Sequence, residues 1–200
     1  IHAETRSPWS QADTLTYAGL LTNARGNPAG AINLLREAHK IALRVDAKYI
    51  VINALNGIAL VYADRGDAGD AQEAIDAATE AFERAGILGA IVGEIPGLAR
   101  AARGHAQLGA IDTARGLSRR AVELLTTQRQ IDGPEEEIYY THFRILQAGD
   151  APDAIEHLRH AKNGLDTKLE GIRNTDQRRA FCEFVRLNAA ILADAERLGI

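Results

Sequence analysis

Histidines are the residues of this sequence that could most directly support metal binding or acid–base chemistry. His157 and His160 lie three residues apart, and His39, His105 and His142 lie elsewhere in the chain. Two histidines with an added carboxylate could bind a metal ion. No HExxH motif or comparable ligand set accompanies them, however. We therefore interpret these histidines as structural or surface residues, and we predict no metal site and no cofactor.

Two further features could supply a nucleophile or an acid, and neither has the companions that catalysis requires. Cys182 lies between Phe181 and Phe184, and nothing near it in sequence provides the base or positive charge that lowers a thiol pKa. Residues 135–137 are three glutamates that follow Pro134. At the start of a helix, acidic side chains stabilise the helix dipole, and proline suits the first turn. We therefore predict a buried structural thiol, a helix N-terminus and no catalytic residue.

Composition and charge argue against several classes of protein. The 200 residues contain one cysteine and carry a net charge of −4, so we expect a reducing, cytoplasmic setting and no nucleic-acid partner. The most apolar stretch, Ile50 to Ala63, is shorter than the ~20 residues needed to span a bilayer, which predicts no membrane segment. The first residue is isoleucine, and we expect an excised part of a larger protein.

The elements that carry these residues are indicated by a fourfold internal repeat. Each segment has a small residue, a glycine and two alanines at steps of 7, 5 and 7 residues, with histidine in place of the small residue in the last segment. The segments are Gly19-Gly26-Ala31-Ala38, Ala59-Gly66-Ala71-Ala78, Ala102-Gly109-Ala114-Ala121 and His142-Gly149-Ala154-Ala161. Their glycines are 40, 43 and 40 residues apart. Constant spacing in four segments indicates a tandem repeat.

Each spacing corresponds to a step on a pair of helices. Seven residues are about two helical turns, and the glycine suits the position just after a helix, where the backbone is left-handed. The two alanines then lie on a second helix, where small side chains let paired helices approach closely. The pattern predicts nine helices, at residues 8–25, 28–45, 48–65, 68–85, 88–108, 111–129, 134–148, 151–170 and 175–198.

This arrangement resembles the tetratricopeptide repeat. The period is longer than the usual repeat of about 34 residues, as in the extended repeats of kinesin-light-chain-type arrays. The resemblance implies an all-α fold, a right-handed α-α superhelix of four helix–turn–helix units with a C-terminal capping helix. It makes residues 1–200 a single domain, with units at about 8–45, 48–85, 88–129 and 134–170 and the capping helix at about 175–198.

The C-terminal segment carries a second, narrower resemblance. Residues 178–199 resemble the closing helix of the tetratricopeptide regions of large bacterial signalling proteins. Those proteins join a nucleotide-binding ATPase module, often with a cyclase or transcription-factor domain, to a C-terminal helical array. The resemblance implies that this chain is the sensor or scaffold arm of such a protein. No ATPase or cyclase motif lies in the 200 residues themselves.

In tetratricopeptide arrays the first helix of each unit lines a concave groove, and this gives the chain a candidate binding surface. An amide can donate to and accept from a peptide backbone at once. The resemblance therefore implies that amides hold an extended peptide and that Tyr139 and Phe143 are apolar anchors. Ordinary polar surface is the alternative interpretation of the same residues. The candidate site consists of Asn23, Asn53, Asn56, Arg103, Gln107, Tyr139, Phe143 and Gln147.

The resulting functional hypothesis is a non-catalytic module that binds a protein or a peptide. Two alternatives stay open: a receptor for a small molecule or peptide pheromone on the same fold, and an enzyme with its site in the groove. A convergent set of titratable groups with shifted pKa values in one pocket would favour the enzyme, whereas an open polar groove would favour binding. A homodimer is also compatible with the sequence.

Overall fold

The described chain folds into ten helices joined by short turns. The computed structural model describes residues 7–128, 131 and 133–200, and these ranges contain no strand. None of their helices is long and apolar enough to cross a membrane. The predicted all-helical fold is confirmed, with ten helices in place of nine. The helices are α1 (Pro8–Ala24), α2 (Pro28–Arg44), α3 (Lys48–Arg65), α4 (Asp70–Leu88), α5 (Ile91–Gln107), α6 (Ile111–Thr127), α7 (Glu135–Ala148), α8 (Ala154–Glu170), α9 (Thr175–Glu183) and α10 (Arg186–Leu198).

Four helix pairs stack in sequence order. We call them units 1 to 4: α1 with α2, α3 with α4, α5 with α6, and α7 with α8. The first helices of the units pack on one another, α1 on α3, α3 on α5 and α5 on α7. Within the described ranges, the second helices make no comparable contacts with each other. The stack therefore bends, with the first helices along its inner face and the second helices outside.

The turn inside each unit uses a left-handed residue, and in units 1 to 3 this residue is the glycine that the repeat predicted. Gly26, Gly66 and Gly109 follow the first helix of their units with φ angles of 82°, 70° and 78°. In unit 4, Gly149 also follows its helix but has a φ of −105°, and the left-handed conformation passes to Asp150, with a φ of 52°. Aspartate tolerates this region better than most residues, so unit 4 makes the same turn one residue later.

Small residues set how closely neighbouring helices approach. Ala38, Ala78 and Ala121, which hold the same place in units 1 to 3, are fully buried. A Cβ added to Gly97 would lie 2.9 Å from Cβ of Phe82, so α5 meets α4 at a point with no room for a side chain. The loss of backbone entropy at such a glycine is offset by the close packing that it permits.

Two helices, rather than the single helix predicted at residues 175–198, cap unit 4. α10 packs on α8 and on α9, and its Ile191 is fully buried. Asn174 caps the N-terminus of α9, since its side-chain oxygen accepts a hydrogen bond of 2.9 Å from the N–H of Gln177. The cap is therefore formed mainly by the second half of the predicted helix.

The break between α9 and α10 has a specific polar cause. In a continuous helix the C=O of Phe181 would accept a hydrogen bond from the N–H of Val185. Instead it accepts one of 2.9 Å from Nδ2 of Asn188, and Val185 has an extended backbone with a ψ of 105°. Phe184 is left exposed at the break.

Candidate binding groove

The inner face of the stack is held together by polar contacts centred on Asp64 of α3. Nδ2 of Asn23 in α1 donates to one carboxylate oxygen at 3.3 Å, and Nη1 of Arg103 in α5 donates to the other at 2.8 Å. Arg103 also donates to the C=O of Ala63 at 2.8 Å, and so does Nε2 of Gln107 at 3.1 Å. Three consecutive units are thus joined across one acidic side chain.

A second polar connection runs beneath the inner face. Nδ2 of Asn56 donates to the C=O of Gly93 at 3.0 Å, and Nη1 of Arg100 donates to the C=O of Asn56 at 3.0 Å. The other nitrogens of the Arg100 guanidinium pair with both carboxylate oxygens of Glu137 at 2.9 and 2.8 Å. Arg100 in α5 therefore bridges α3 and α7.

The Arg100–Glu137 ion pair is nearly inaccessible to solvent on both sides. Burial alone would raise the pKa of Glu137, but the charge and hydrogen bonds of Arg100 outweigh it and hold that pKa below its ordinary value. No motif of the sequence predicts this pair. Its only signal was an arginine and a glutamate on first helices 37 residues apart, which is close to the repeat period.

The eight predicted site residues divide into two groups. Asn23, Asn56 and Phe143 are buried; the two amides join neighbouring first helices, and Phe143 belongs to the apolar cluster of α7, α8 and α10. Phe143 is 0% exposed, so it is a core residue and not the exposed anchor that was expected. The members with accessible surface on the first helices are Asn53, Arg103, Gln107, Tyr139 and Gln147.

An open cleft of about 410 Å³ lies beside α3, at the turn that joins α4 to α5. Of the predicted residues, Asn53 lines it, together with Tyr49 of the same helix and Gln128 beyond α6. Ile52 and residues 89–93 complete the lining. None of these described lining residues is acidic, basic or histidine, so the cleft offers apolar surface and amides rather than acid–base groups.

Three of the histidines, His142, His157 and His160, lie close together in unit 4, where His142 faces unit 3. Oγ of Ser118 and Nδ1 of His142 share a hydrogen bond of 2.8 Å. The His142 ring meets the His157 ring edge-on, with centroids 4.5 Å apart, and Tyr139 stacks on His160 at 5.0 Å. Burial lowers the pKa of His142 to about 4, with a smaller contribution from His157. His142 is therefore packed in its neutral form at neutral pH.

Neither this cluster nor any other in the described ranges brings three or more His, Cys, Asp or Glu side chains into an arrangement that could hold a metal ion. Burial also lowers the pKa of His157, and its Nδ1 has no hydrogen-bond partner among the described residues. The shifted pKa values at this junction thus arise from packing between units rather than from groups that converge on an open pocket.

Comparison with known proteins supports the fold. No protein-family model and no curated protein matches the sequence. Fourteen chains of solved structures match this protein. One of them is a Podosopora anserina kinesin light chain with nearly identical TPR-like repeats. The alignment covers 96% of this chain and 100% of that chain, with 16% sequence identity and a TM-score of 0.62. The chain therefore has a tetratricopeptide-like repeat fold.

Proposed function

We propose that this protein is a non-catalytic module that binds an extended segment of another protein along the inner face of its stack. The observation that carries the proposal is the open cleft beside α3, whose described lining residues are amides and apolar groups with no charged side chain among them. Such a surface suits a peptide backbone and an apolar side chain. The lining residues that the structure describes do not include the convergent titratable groups that an enzyme would need.

The accessible members of the predicted set define the path of the peptide. Asn53 contributes to the cleft, and Gln107 is exposed further along the inner face. Tyr139 and Gln147 are half-buried on the first helix of unit 4. Because Asn23, Asn56 and Phe143 are buried, we assign them to the framework that holds this path in shape.

The cellular role that we propose is the sensor or scaffold arm of a bacterial signalling protein in the cytoplasm. This part of the proposal rests on the resemblance of residues 178–199 to the closing helix of such arrays. Sequencing the surrounding gene tests it directly. An ATPase or regulator module encoded in the same reading frame is expected, and a reading frame without one would contradict this role.

Selection from a displayed library of random peptides tests the binding proposal. Peptides enriched on the parent protein should bind Tyr49→Ala with Asn53→Ala about 30-fold more weakly, since truncating an anchor costs ~2 kcal/mol. The matched control is Glu37→Ala with Lys40→Ala, two exposed residues on the outer helix α2. Peptides that bind both variants like the parent would contradict the inner-face site.

A receptor for a small molecule is the second candidate, because the cleft volume of about 410 Å³ lies within the range of small-molecule sites. A thermal-shift screen separates the two functions. The receptor function would be favoured if the peptide selection enriches nothing and compounds are found that raise the melting temperature of the parent. These compounds should not raise the melting temperature of the Tyr49→Ala, Asn53→Ala variant.

A further inference from the structure

One stripe of α1 is exposed and carries no charge. It consists of Ser10, Thr14, Tyr17 and Leu21. These residues follow one another at helical steps of four, three and four, so they lie on one side of the helix. Tyr17 is 63% exposed and Leu21 is 52% exposed. Two large side chains with apolar surface are therefore in contact with solvent along this stripe.

The same stripe is buried in the two units that follow. In α3, one period of 40 residues later, its positions hold Ile50, Ala54, Gly57 and Val61. In α5, a further 43 residues later, they hold Gly93, Gly97, Arg100 and Gly104. Every one of these equivalent residues in α3 and α5 is buried. Among the first three units, the stripe is thus exposed only in α1.

The second helix of the preceding unit covers the stripe in α3 and α5. α2 packs on α3, and α4 packs on α5. Val61 belongs to an apolar cluster with residues of α2, and a Cβ added to Gly104 would lie 2.7 Å from Cγ1 of Ile75 in α4. Arg100 is buried at the repeat position of Tyr17, so a large side chain at this position is compatible with a covering helix.

Exposed positions elsewhere in the stack carry charges that the stripe of α1 lacks. At the opposite end, α9 exposes Arg178, Arg179 and Glu183. In α7, the last position of the stripe is exposed and is occupied by Arg144, whereas α1 has Leu21 there. Terminal units of repeat arrays need a polar outer face to remain in solution. The stripe of α1 therefore has the character of an internal unit rather than that of a terminal one.

We propose that a further helix of the same polypeptide, preceding α1, packs on this stripe as the second helix of an additional unit. This contact continues the series that α2 on α3 and α4 on α5 already form. A specific interface between separate proteins needs roughly 20–30 residues on each side, and the stripe is much smaller. A covering helix from the same polypeptide is held near its site by the chain, so it avoids most of the entropy loss that a separate partner must overcome.

The proposal specifies what the reading frame encodes before α1. Each unit has two alanines seven residues apart on its second helix, as at Ala31 and Ala38. The second helices α2 and α4 have 17 and 19 residues. We therefore expect an amphipathic helix of similar length directly before α1, with two small residues seven apart on its packed side. A reading frame too short to encode such a helix would overturn the proposal.

Thiol labelling of the full-length product tests the contact itself. In a Cys182→Ser background, Thr14→Cys places a thiol at the position that Ala54, 0% exposed, holds in α3. A maleimide should label this thiol at least about tenfold more slowly in the full-length product than in the 200-residue chain, because labelling of a covered thiol requires local opening. Ser10→Cys, on the same stripe, is the second variant if Thr14→Cys does not fold.

The matched control is Glu83→Cys in the same background, at an exposed position of α4. Its labelling rate, read for each site by peptide mass spectrometry, should be the same in both proteins. Equal labelling rates for Thr14→Cys in the two proteins would overturn the proposal. Protection that appears only when the full-length product is placed in a cell extract would overturn it in favour of a separate partner.

Discussion

At the scale of single residues, backbone conformation decides what a glycine position can accept. Gly66 has a φ of 70°, whereas Gly116 lies inside α6 with ordinary helical geometry, and an added Cβ would meet no atom within 4 Å at either place. Gly66→Ala should destabilise by about 1 kcal/mol because a left-handed L-residue is strained. Gly116→Ala should stabilise by about 0.5–1 kcal/mol. Urea unfolding measures both, and equal effects of the same sign would contradict the turn conformation.

The buried histidines predict a loss of stability in acid. The pKa of His142 is lowered to about 4 from 6.5, so the neutral form is the one that the folded state favours. Its contribution is complete above pH 6.5 and is lost as pH falls towards 4. The loss amounts to roughly 3–4 kcal/mol, and it should appear as a falling midpoint of urea unfolding between these pH values.

A substitution separates His142 from the other titrating groups. His142→Gln should flatten the pH dependence of unfolding without removing it, since burial also lowers the pKa values of His39 and His157. An unchanged slope in His142→Gln would refute the assignment.

The candidate site shows what residue types alone can predict when the contacts between helices are unknown. The repeat position and amide chemistry of Asn23 and Asn56 could be read from the sequence, and both residues do lie on first helices. Their partners could not be read: Asn23 donates to a carboxylate 41 residues away. A polar residue on an inner face can bind a guest or join two units, and only the neighbouring helix determines which.

At the scale of helices, packing depends on small residues at fixed steps. Ala78 on α4 is fully buried, while Ala29 on α2 is exposed. Ala78→Leu should therefore overpack the contact between α4 and its neighbours and cost about 1–3 kcal/mol. Ala29→Leu adds the same atoms in solvent and should change stability by less than about 0.5 kcal/mol. Thermal melts compare the two, and a melting temperature of Ala78→Leu equal to that of the parent would contradict close packing.

Helix positions could be predicted well because the repeat shows them four times. Gly66 and Asn174 mark helix ends by local chemistry that the sequence displays directly. The break before α10 was missed because Asn188 reaches back seven residues to the C=O of Phe181. Such a competing hydrogen bond does not alter the apolar pattern of a continuous helix, so periodicity alone could not reveal it.

At the scale of the molecule, Arg100 of unit 3 joins units 2 and 4, because it donates to the C=O of Asn56 and pairs with Glu137. Arg100→Met would leave Glu137 buried without a partner and should cost about 3–5 kcal/mol. Arg119→Met removes an arginine from an exposed pair with Glu123 and should cost less than about 1 kcal/mol. Urea unfolding followed by circular dichroism checks both values.

The same experiment reports on cooperativity. In a repeat array, stability is approximately the sum of unit terms and junction terms. Weakening the junction at Arg100 should therefore broaden the transition or split it, with unit 4 unfolding first. A single sharp transition, shifted no further than in the Arg119→Met control, would show that the buried pair does not couple the units.

The contact between Ser118 and His142 affects which units of this repeat array can be placed next to each other in a chimera. At the junction before it, a large side chain faces a small one, Ile75 against Gly104. Ser118 holds the repeat position of Ile75, 43 residues later, and here the small partner lies on the second helix and the bulky imidazole on the first. A chimera that deletes unit 3 would press Ile75 against His142. The volumes at these two junctions are complementary in opposite senses, so a unit that is given a different predecessor needs a matching change of side-chain size at the contact.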